Sequence, residues 1–307
     1  MKKRLVSLLL AFSMMLTFLP VGAVTAFAED PEWSCGANAS NIVTAHFNSA
    51  SGTLTFSGEG AMENYQTMHF VAPWKEISNQ IKKIVIENGV TSIGSNAFYQ
   101  CSDMQATLDL SDAKALTSIG NNAFYGCSSL NGYLTLPSQL TVIPSCAFWN
   151  CSQLKVQGGL KIPENVKSIG WGAFRGCAQL KGSLTLPKDI ESIGRQAFYD
   201  CTGLTGTFKI PDTVTEIEQE TFYHCGLDFI FPSNVTSIGL RAFDACVNFK
   251  GDEEGNFMIP ETVQTVREDA FKRAGIKRLF LPQNLQNIRQ IDEQNRAIYY
   301  NGTRAEL

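Results

Sequence analysis

The sequence predicts an α/β fold built as a right-handed solenoid, and three recurring features point to it. A phenylalanine, usually preceded by alanine, recurs at a mean step of about 25 residues. A cysteine usually follows that phenylalanine three positions later, and a short alternating apolar segment recurs with the same period. A unit of this length cannot bury its own apolar face, so successive units must stack on one another.

The N-terminus has the pattern of a secretory signal peptide. Residues 2–4 are basic, an apolar run follows, and residues 26–28 read Ala-Phe-Ala. A positive segment, an apolar segment and a small-x-small site predict export with cleavage after residue 28. Pro20 and Gly22 interrupt the apolar run, which disfavours the alternative of a membrane anchor. We therefore expect a secreted or cell-surface protein, with no lipobox, sorting motif or later transmembrane segment.

The charge and the motifs exclude several classes of function. The chain has 25 basic and 29 acidic residues, a net charge of −4, and no basic run, which argues against a nucleic-acid partner. His46, His69 and His224 are isolated, and neither a phosphate-binding loop nor a zinc motif is present. The acidic segment 251–256 lacks the alternating ligands of a calcium loop, so it is interpreted as a solvated loop. The sequence thus predicts no catalytic residue, cofactor or metal.

The phenylalanines and cysteines define one inward face of each unit. The recurring phenylalanines are Phe98, Phe124, Phe148, Phe174, Phe198, Phe222, Phe243 and Phe271. The cysteines that follow them are Cys101, Cys127, Cys151, Cys177, Cys201, Cys225 and Cys246, with Ala274 in the last unit. Since alanine also fits, a column of buried free thiols is expected, with disulfides between adjacent units as the alternative. Cys35 and Cys146 fall outside this column.

Nine apolar segments predict the strands of one parallel sheet. They lie at 84–86, 108–110, 134–136, 160–162, 184–186, 208–210, 229–231, 257–259 and 279–281. Connections of about 20 residues between short strands require parallel pairing. On the return side, the Phe-to-Cys spacing predicts short α-helical or 3-10 turns, with loops between them. The glycines at 94, 120, 170, 194 and 239 are expected to adopt positive φ.

The repeated pattern "SIGxxAFxxCxxLxGxLxLP" resembles the BspA-type leucine-rich repeat of bacterial surface proteins. The resemblance covers residues 81–288, the predicted repeat array. Residues 29–80 resemble the small β cap that precedes such arrays. Residues 289–307 resemble the segment that closes them, with Leu307 where a tryptophan often stands. The resemblance implies a leucine-rich-repeat solenoid and a non-catalytic role in adhesion.

Two outward stripes are candidate binding surfaces, with an extracellular protein or a glycan as the expected partner. The first follows the phenylalanines and contains Tyr99, Tyr125, Trp149, Tyr199 and Tyr223. Its alternative explanation is lateral packing between units. The second contains Ile230, Met258 and Phe280 on the sheet, and its alternative explanation is burial under residues 298–300. A structural spacer with no ligand of its own is the alternative function.

Overall fold

The structure is a computed structural model that describes residues 30–68, 71–288, 297–300 and 303–304. The predicted signal peptide and most of the predicted closing segment lie outside these residues. Within them the predicted leucine-rich-repeat solenoid is confirmed, and it consists mostly of strands and turns. The division into cap, array and closing segment stays a prediction.

The strands are short and continue along the whole described chain. In chain order they are β1 (Glu32–Ser34), β2 (Ile42–Asn48), β3 (Thr53–Ala61), β4 (Lys83–Ile86), β5 (Val90–Ile93), β6 (Thr107–Asp109), β7 (Ser118–Ile119), β8 (Val142–Ile143), β9 (Leu160–Lys161), β10 (Ser168–Ile169), β11 (Leu184–Thr185), β12 (Ser192–Ile193), β13 (Thr205–Lys209), β14 (Glu216–Ile217), β15 (Gly226–Ile230), β16 (Ser237–Ile238), β17 (Asn256–Met258), β18 (Thr265–Val266), β19 (Arg278–Leu281), β20 (Asn287–Ile288), β21 (Ala297–Tyr300) and β22 (Thr303–Arg304). One 3-10 helix, Pro73–Gln80, precedes β4.

These strands form two parallel ladders instead of the single predicted sheet. The first ladder contains the predicted apolar segments and pairs β4 with β6, β9 with β11, β13 with β15, and β17 with β19. The second ladder uses the Ser-Ile dipeptide or its equivalent in each coil, as in β10 with β12 and β16 with β18. β3 starts both ladders because it pairs with β4 and β5. Segment 134–136, predicted as a strand, is not assigned to one.

The return side is made of consecutive turns and differs from the predicted helical segments. Around Phe98, the amide of Tyr99 donates to the carbonyl of Asn96, and the amide of Cys101 donates to the carbonyl of Phe98. The amides that alternate with these donate to backbone carbonyls of the next coil; the amide of Phe98, for example, donates to the carbonyl of Ala123. Among the described residues, thirteen other than glycine have φ between 51° and 61°, and each of them lies two positions before or after one of the recurring phenylalanines. A left-handed residue at every fourth position prevents a helix from continuing.

The glycines predicted to supply positive φ have another role. Positive φ occurs two residues later, for example at Asn96 and Asn122, and not at Gly94 or Gly120. A Cβ atom on Gly94 would lie 1.8 Å from the carbonyl oxygen of Glu63, and one on Gly120 would lie 2.3 Å from the amide nitrogen of Ser95. Glycine is therefore required because the backbone of the preceding coil passes too close for a side chain.

The predicted phenylalanine core is confirmed as a continuous stack, here called the Phe column. Its members are Phe98, Phe124, Phe148, Phe174, Phe198, Phe222, Phe243 and Phe271, each with no exposed area. Successive rings are 5.0 to 5.7 Å apart and within 12° of parallel. Trp74 continues the stack toward the N-terminus, with its ring 5.8 Å from that of Phe98. One apolar core thus joins the N-terminal strands to the coils.

The seven cysteines form a buried column beside the phenylalanines, here called the thiol column. They are at most 1 % exposed, and all nine cysteines of the chain are free. Six of the thiols donate to the carbonyl of the phenylalanine in the preceding coil, at 2.9 to 3.1 Å. The position therefore uses the S–H group as well as the volume of the side chain. Ala274 supplies only the volume in the last coil.

Candidate functional site

The residue after each column phenylalanine faces outward and forms a continuous row. The row, here called the aromatic ladder, consists of Tyr99, Tyr125, Trp149, Arg175, Tyr199 and Tyr223, all half-buried. Its rings pack laterally on one another. The centroids of Tyr99 and Tyr125 are 5.0 Å apart, those of Tyr125 and Trp149 are 5.5 Å apart, and those of Tyr199 and Tyr223 are 4.3 Å apart. The structure thus brings together all five aromatic residues that the sequence singled out.

Arg175 joins the two aromatic halves of the ladder. Its guanidinium carbon lies 4.6 Å from the ring centre of Trp149 and 3.8 Å from that of Tyr199. A planar guanidinium is attracted to the faces of aromatic rings, so the cation takes the place of a sixth ring. The stack therefore continues through a coil that lacks an aromatic residue at this position.

Charged side chains border both ends of the ladder. The ammonium nitrogen of Lys75 lies 5.7 Å from the ring centre of Tyr99. It donates a hydrogen bond to the backbone carbonyl of Tyr99 at 2.6 Å. At the other end, Arg273 donates to the hydroxyl of Tyr223 at 3.2 Å and to the buried carboxylate of Asp244 at 2.9 Å. Hydrogen bonding to Asp244 raises the pKa of Arg273 above its usual range. Arg241 also donates to Asp244, at 2.9 Å, so this carboxylate is fully paired.

The ladder presents ring edges and hydroxyl groups to solvent, because neighbouring rings cover its faces. Partial burial raises the pKa of Tyr125 and of Tyr199 above the ordinary value of 10.0. Both hydroxyls are therefore neutral at pH 7 and are able to donate hydrogen bonds. A surface of aromatic edges, hydroxyls and one guanidinium suits a partner with both apolar and polar groups.

Trp171 extends this surface and was not identified from the sequence. Its ring is 50 % exposed and lies edge-on to Trp149, with the centroids 5.3 Å apart. Its indole N–H donates to the side-chain oxygen of Gln196 at 3.2 Å. The equivalent residues in the other coils are Ser95, Asn121, Ser145, Arg195, Gln219, Leu240 and Glu268. A single aromatic residue at a repeat position that is otherwise mostly polar was the available signal.

The second predicted stripe, here called the apolar stripe, consists of Ile230, Met258 and Phe280. Ile230 is 50 % exposed, Met258 is 73 % exposed and Phe280 is half-buried. β21 does not fold over them: it pairs beside β19, and Tyr299 stacks on Phe280 with the centroids 4.9 Å apart. Of the expected cover by residues 298–300, the described side chains show the contact of Tyr299 with Phe280, whereas Ile230 and Met258 stay exposed because this strand extends the sheet. A groove of about 360 Å³ lies along Met258, Phe280 and Tyr299.

A further groove, of about 470 Å³, lies on the first ladder between segment 134–136 and the following coil. Apolar side chains of Leu134 and Leu160 line it together with the polar side chains of Thr135 and Lys161. Pro163 follows Phe148 by 15 positions, whereas Pro137 follows Phe124 by 13, so the coil that contains Pro163 is two residues longer. Its strand β9 does not pair with segment 134–136. This two-residue insertion was visible in the sequence, but its effect on strand pairing was not.

The described residues contain no cluster of three or more potential metal ligands. In the acidic loop, the Asp252 carboxylate accepts the amide of Asn256 at 2.7 Å and that of Glu254 at 3.1 Å, as in a solvated turn. His224 contacts Asp200 at 2.8 Å on the surface, and His69 lies outside the described residues. None of the described helices has the length and apolar character needed to span a membrane.

Comparisons with known proteins found similar solved structures. Among solved structures, a leucine-rich repeat protein from Eubacterium ventriosum is 20 % identical, with a TM-score of 0.52 over 82 % of this chain and 72 % of that one. A leucine rich cell surface protein from Faecalibacterium prausnitzii is also 20 % identical, with a TM-score of 0.37 over 90 % and 96 % of the two chains. The curated proteins contain no match.

The family comparison covers more than half of the chain. The profile of the BspA type leucine rich repeat region matches residues 76–205 and 182–292, in six copies. These ranges contain all eight members of the Phe column and the six members of the aromatic ladder. The chain therefore belongs to the BspA type leucine-rich-repeat family.

Proposed function

We propose that this chain is a non-catalytic binding or adhesion protein, secreted or at the cell surface, that engages a protein partner through the aromatic ladder. The observation that carries the proposal is the unbroken, half-exposed row from Tyr99 to Tyr223. Tyrosine, tryptophan and arginine are the residue types that dominate binding hot spots. Ladder packing also orders these side chains before binding, which lowers the entropy lost in a complex.

The ladder geometry favours a protein over a glycan as the partner. A sugar ring stacks on the open face of an aromatic side chain, and the faces in this ladder contact one another. Tyr199 illustrates this, with Arg175 on one face and Tyr223 on the other. Edges and hydroxyls instead suit the mixture of apolar and hydrogen-bonding groups on a protein surface.

The proposed location rests on the family and on the predicted signal peptide. The chain belongs to a BspA type repeat family. Its first 28 residues have the pattern of an export signal. The described residues are dominated by structural repeats, and regular extended surfaces of this kind serve binding in other solenoid proteins.

The test is retention of the mature chain on a panel of immobilised extracellular matrix proteins and glycans. One variant carries Tyr125→Ser, Trp149→Ser and Tyr199→Ser. A matched variant carries Ile230→Ser, Met258→Ser and Phe280→Ser. We expect wild type to be retained by a protein of the panel, the ladder variant to bind it at least about 10-fold more weakly, and the stripe variant to bind normally.

Unchanged binding by the folded ladder variant would contradict the proposed surface. Loss of binding only in the stripe variant would move the site to the apolar stripe on the first ladder. Retention on glycans alone would contradict the choice of a protein partner. If nothing on the panel retains the wild type, the alternative of a structural spacer without its own ligand gains support.

A further inference from the structure

Arg175 differs from the other arginines on the ladder side of the molecule. Arg195 donates to the side chain of Gln219 at 2.6 Å, and Arg241 and Arg273 both donate to Asp244. In the part of the chain that the structure describes, no hydrogen bond or ion pair satisfies the guanidinium of Arg175. It lies against the rings of Trp149 and Tyr199.

This arrangement leaves the N–H edge of Arg175 available and fixes its orientation. A guanidinium has five donors in one plane, and the rings of Trp149 and Tyr199 approach it from the two neighbouring coils. The side chain is half-buried. Its rotamer freedom is therefore already restricted in the free protein, so a ligand loses little side-chain entropy when it binds.

A carboxylate matches these donors. Its two oxygens accept two parallel N–H bonds from one guanidinium, and such charge-assisted pairs are stronger than neutral hydrogen bonds. The surroundings supply apolar contacts next to the charge, since the exposed ring of Trp171 lies edge-on to Trp149. The neutral hydroxyl of Tyr199 is a second donor beside it. An acidic side chain with an apolar neighbour fits both features.

We propose that Arg175 is the anchor for a carboxylate, and that the aromatic ladder binds a protein segment with Asp or Glu beside an apolar residue. This inference rests on the proposed function, because it names the chemistry of the partner at the same surface. The net charge of the chain is −4, so attraction of an acidic residue has to come from this local cation and not from the overall charge. The pairing acts at short range and selects an acidic residue at one place in the partner.

The experiment selects ligands without assuming a partner. A phage library of random twelve-residue peptides is panned on the immobilised mature chain, with counter-selection on Arg175→Gln. The most enriched peptide is then synthesised with its Asp or Glu residues, and again with Asn or Gln in their place. We expect the neutral peptide to bind at least 10-fold more weakly, which corresponds to about 1.4 kcal/mol. Arg175→Gln should weaken the acidic peptide equally and leave the neutral one unchanged.

Two variants separate this effect from misfolding and from net charge. Arg175→Lys keeps the charge but loses the planar fork, so it should bind the acidic peptide with intermediate affinity. Lys161→Gln makes the same charge change on the first ladder and should bind like wild type. Thermal unfolding of each variant reports whether it is folded.

Enriched peptides without acidic residues, or no enrichment at all, would overturn the inference. So would equal binding of the acidic peptide by wild type and Arg175→Gln. Arg175-dependent binding of heparin, with no Arg175-dependent peptide, would assign the site to sulfated polysaccharides instead. If peptides bind through Tyr125, Trp149 and Tyr199 but not through Arg175, the proposed function stands and the carboxylate anchor is wrong.

Discussion

The Phe column and the aromatic ladder are neighbours in sequence in every coil that contributes to both, yet they have different roles. Both are stacks of rings at a spacing of about 5 Å. The Phe column has no exposed area and no interruption, whereas the ladder is half-exposed and contains Arg175. The last two coils even place Asp244 and Lys272 at the ladder position. Burial therefore fixes the residue type on the inner side, while the outer side is free to vary.

The largest expected difference between the two sides is their response to pH, because the thiol column lies beside the phenylalanines. Burial raises the pKa of Cys101 and Cys146 from 9.0 to about 11, and that of Cys35, Cys177 and Cys246 to about 12. The unfolded chain ionises its thiols from about pH 9, and the native chain does not. The stabilisation is thus complete below pH 9 and is lost as pH rises through 11.

Urea unfolding in reductant at pH 7.5, 9 and 10 measures this effect. Each fully buried thiol should remove about 1.4 kcal/mol of unfolding free energy per pH unit above 9. Replacing Cys177, Cys201 and Cys225 by alanine removes three of the nine thiols and should reduce the slope by about one third. A pH-independent stability between 7.5 and 10 would mean that the thiols are accessible in the native state.

Phe174→Ala should cost about 3–5 kcal/mol of unfolding free energy, because it opens a cavity in the centre of the Phe column. Phe174 is fully buried between Phe148 and Phe198. Chemical denaturation measures the loss, and Phe198→Ala should give a similar value. A loss below about 1 kcal/mol would show that these rings do not form the core.

Gly170→Ala should cost about 1–3 kcal/mol, because a Cβ atom there would lie 2.5 Å from the amide nitrogen of Ser145 in the preceding coil. The measurement separates close backbone approach from the conformational role first expected for this glycine. Gly158→Ala is the control: it has positive φ but meets nothing within 4 Å, so only the conformational cost applies. An unchanged melting temperature for Gly170→Ala would contradict the close contact.

Tyr199→Ser should cost the least, about 1 kcal/mol, because the ring is half-exposed and loses one stacking contact and one contact with Arg175. The same change belongs to the variant expected to weaken binding by at least 10-fold. A stability loss as large as that of Phe174→Ala would mean that the ladder is a structural element of the core. Denaturation and binding measured on the same protein distinguish the two roles.

Much of this architecture is predictable because the same residue types recur in successive units, so the prediction does not depend on any single residue. Phe98 alone is an ordinary apolar residue, but eight such residues at one spacing require a stack. The five aromatic residues of the ladder were found in the same way. Trp171 was missed because it departs from the repeat, and Arg175 was not predicted to be a site residue because a cation interrupts an aromatic row.

Other features depended on packing between coils. The Phe-to-Cys spacing is compatible with a helical turn. In the structure, however, the backbone amides of Phe98 and Gln100 donate hydrogen bonds to carbonyls of the next coil, and this favours turns with left-handed residues. Segment 134–136 was expected to form a strand like its equivalents, but in the structure it has no strand partner. In each case, the deciding contact joins residues more than 20 positions apart.

The sequence by itself determined the repeat, the solenoid, the buried phenylalanines and cysteines, and the membership in the family. These features follow from the apolar pattern that every unit repeats. They can be predicted without knowing how the neighbouring coil packs. Only the tertiary structure decided that turns replace helices, that Gly94 and Gly120 face a neighbouring backbone, and that Arg175 lies between two rings with no ion pair to any described residue. The physical reason is that these properties depend on the distance between stacked coils, which the order of residues along one coil does not specify.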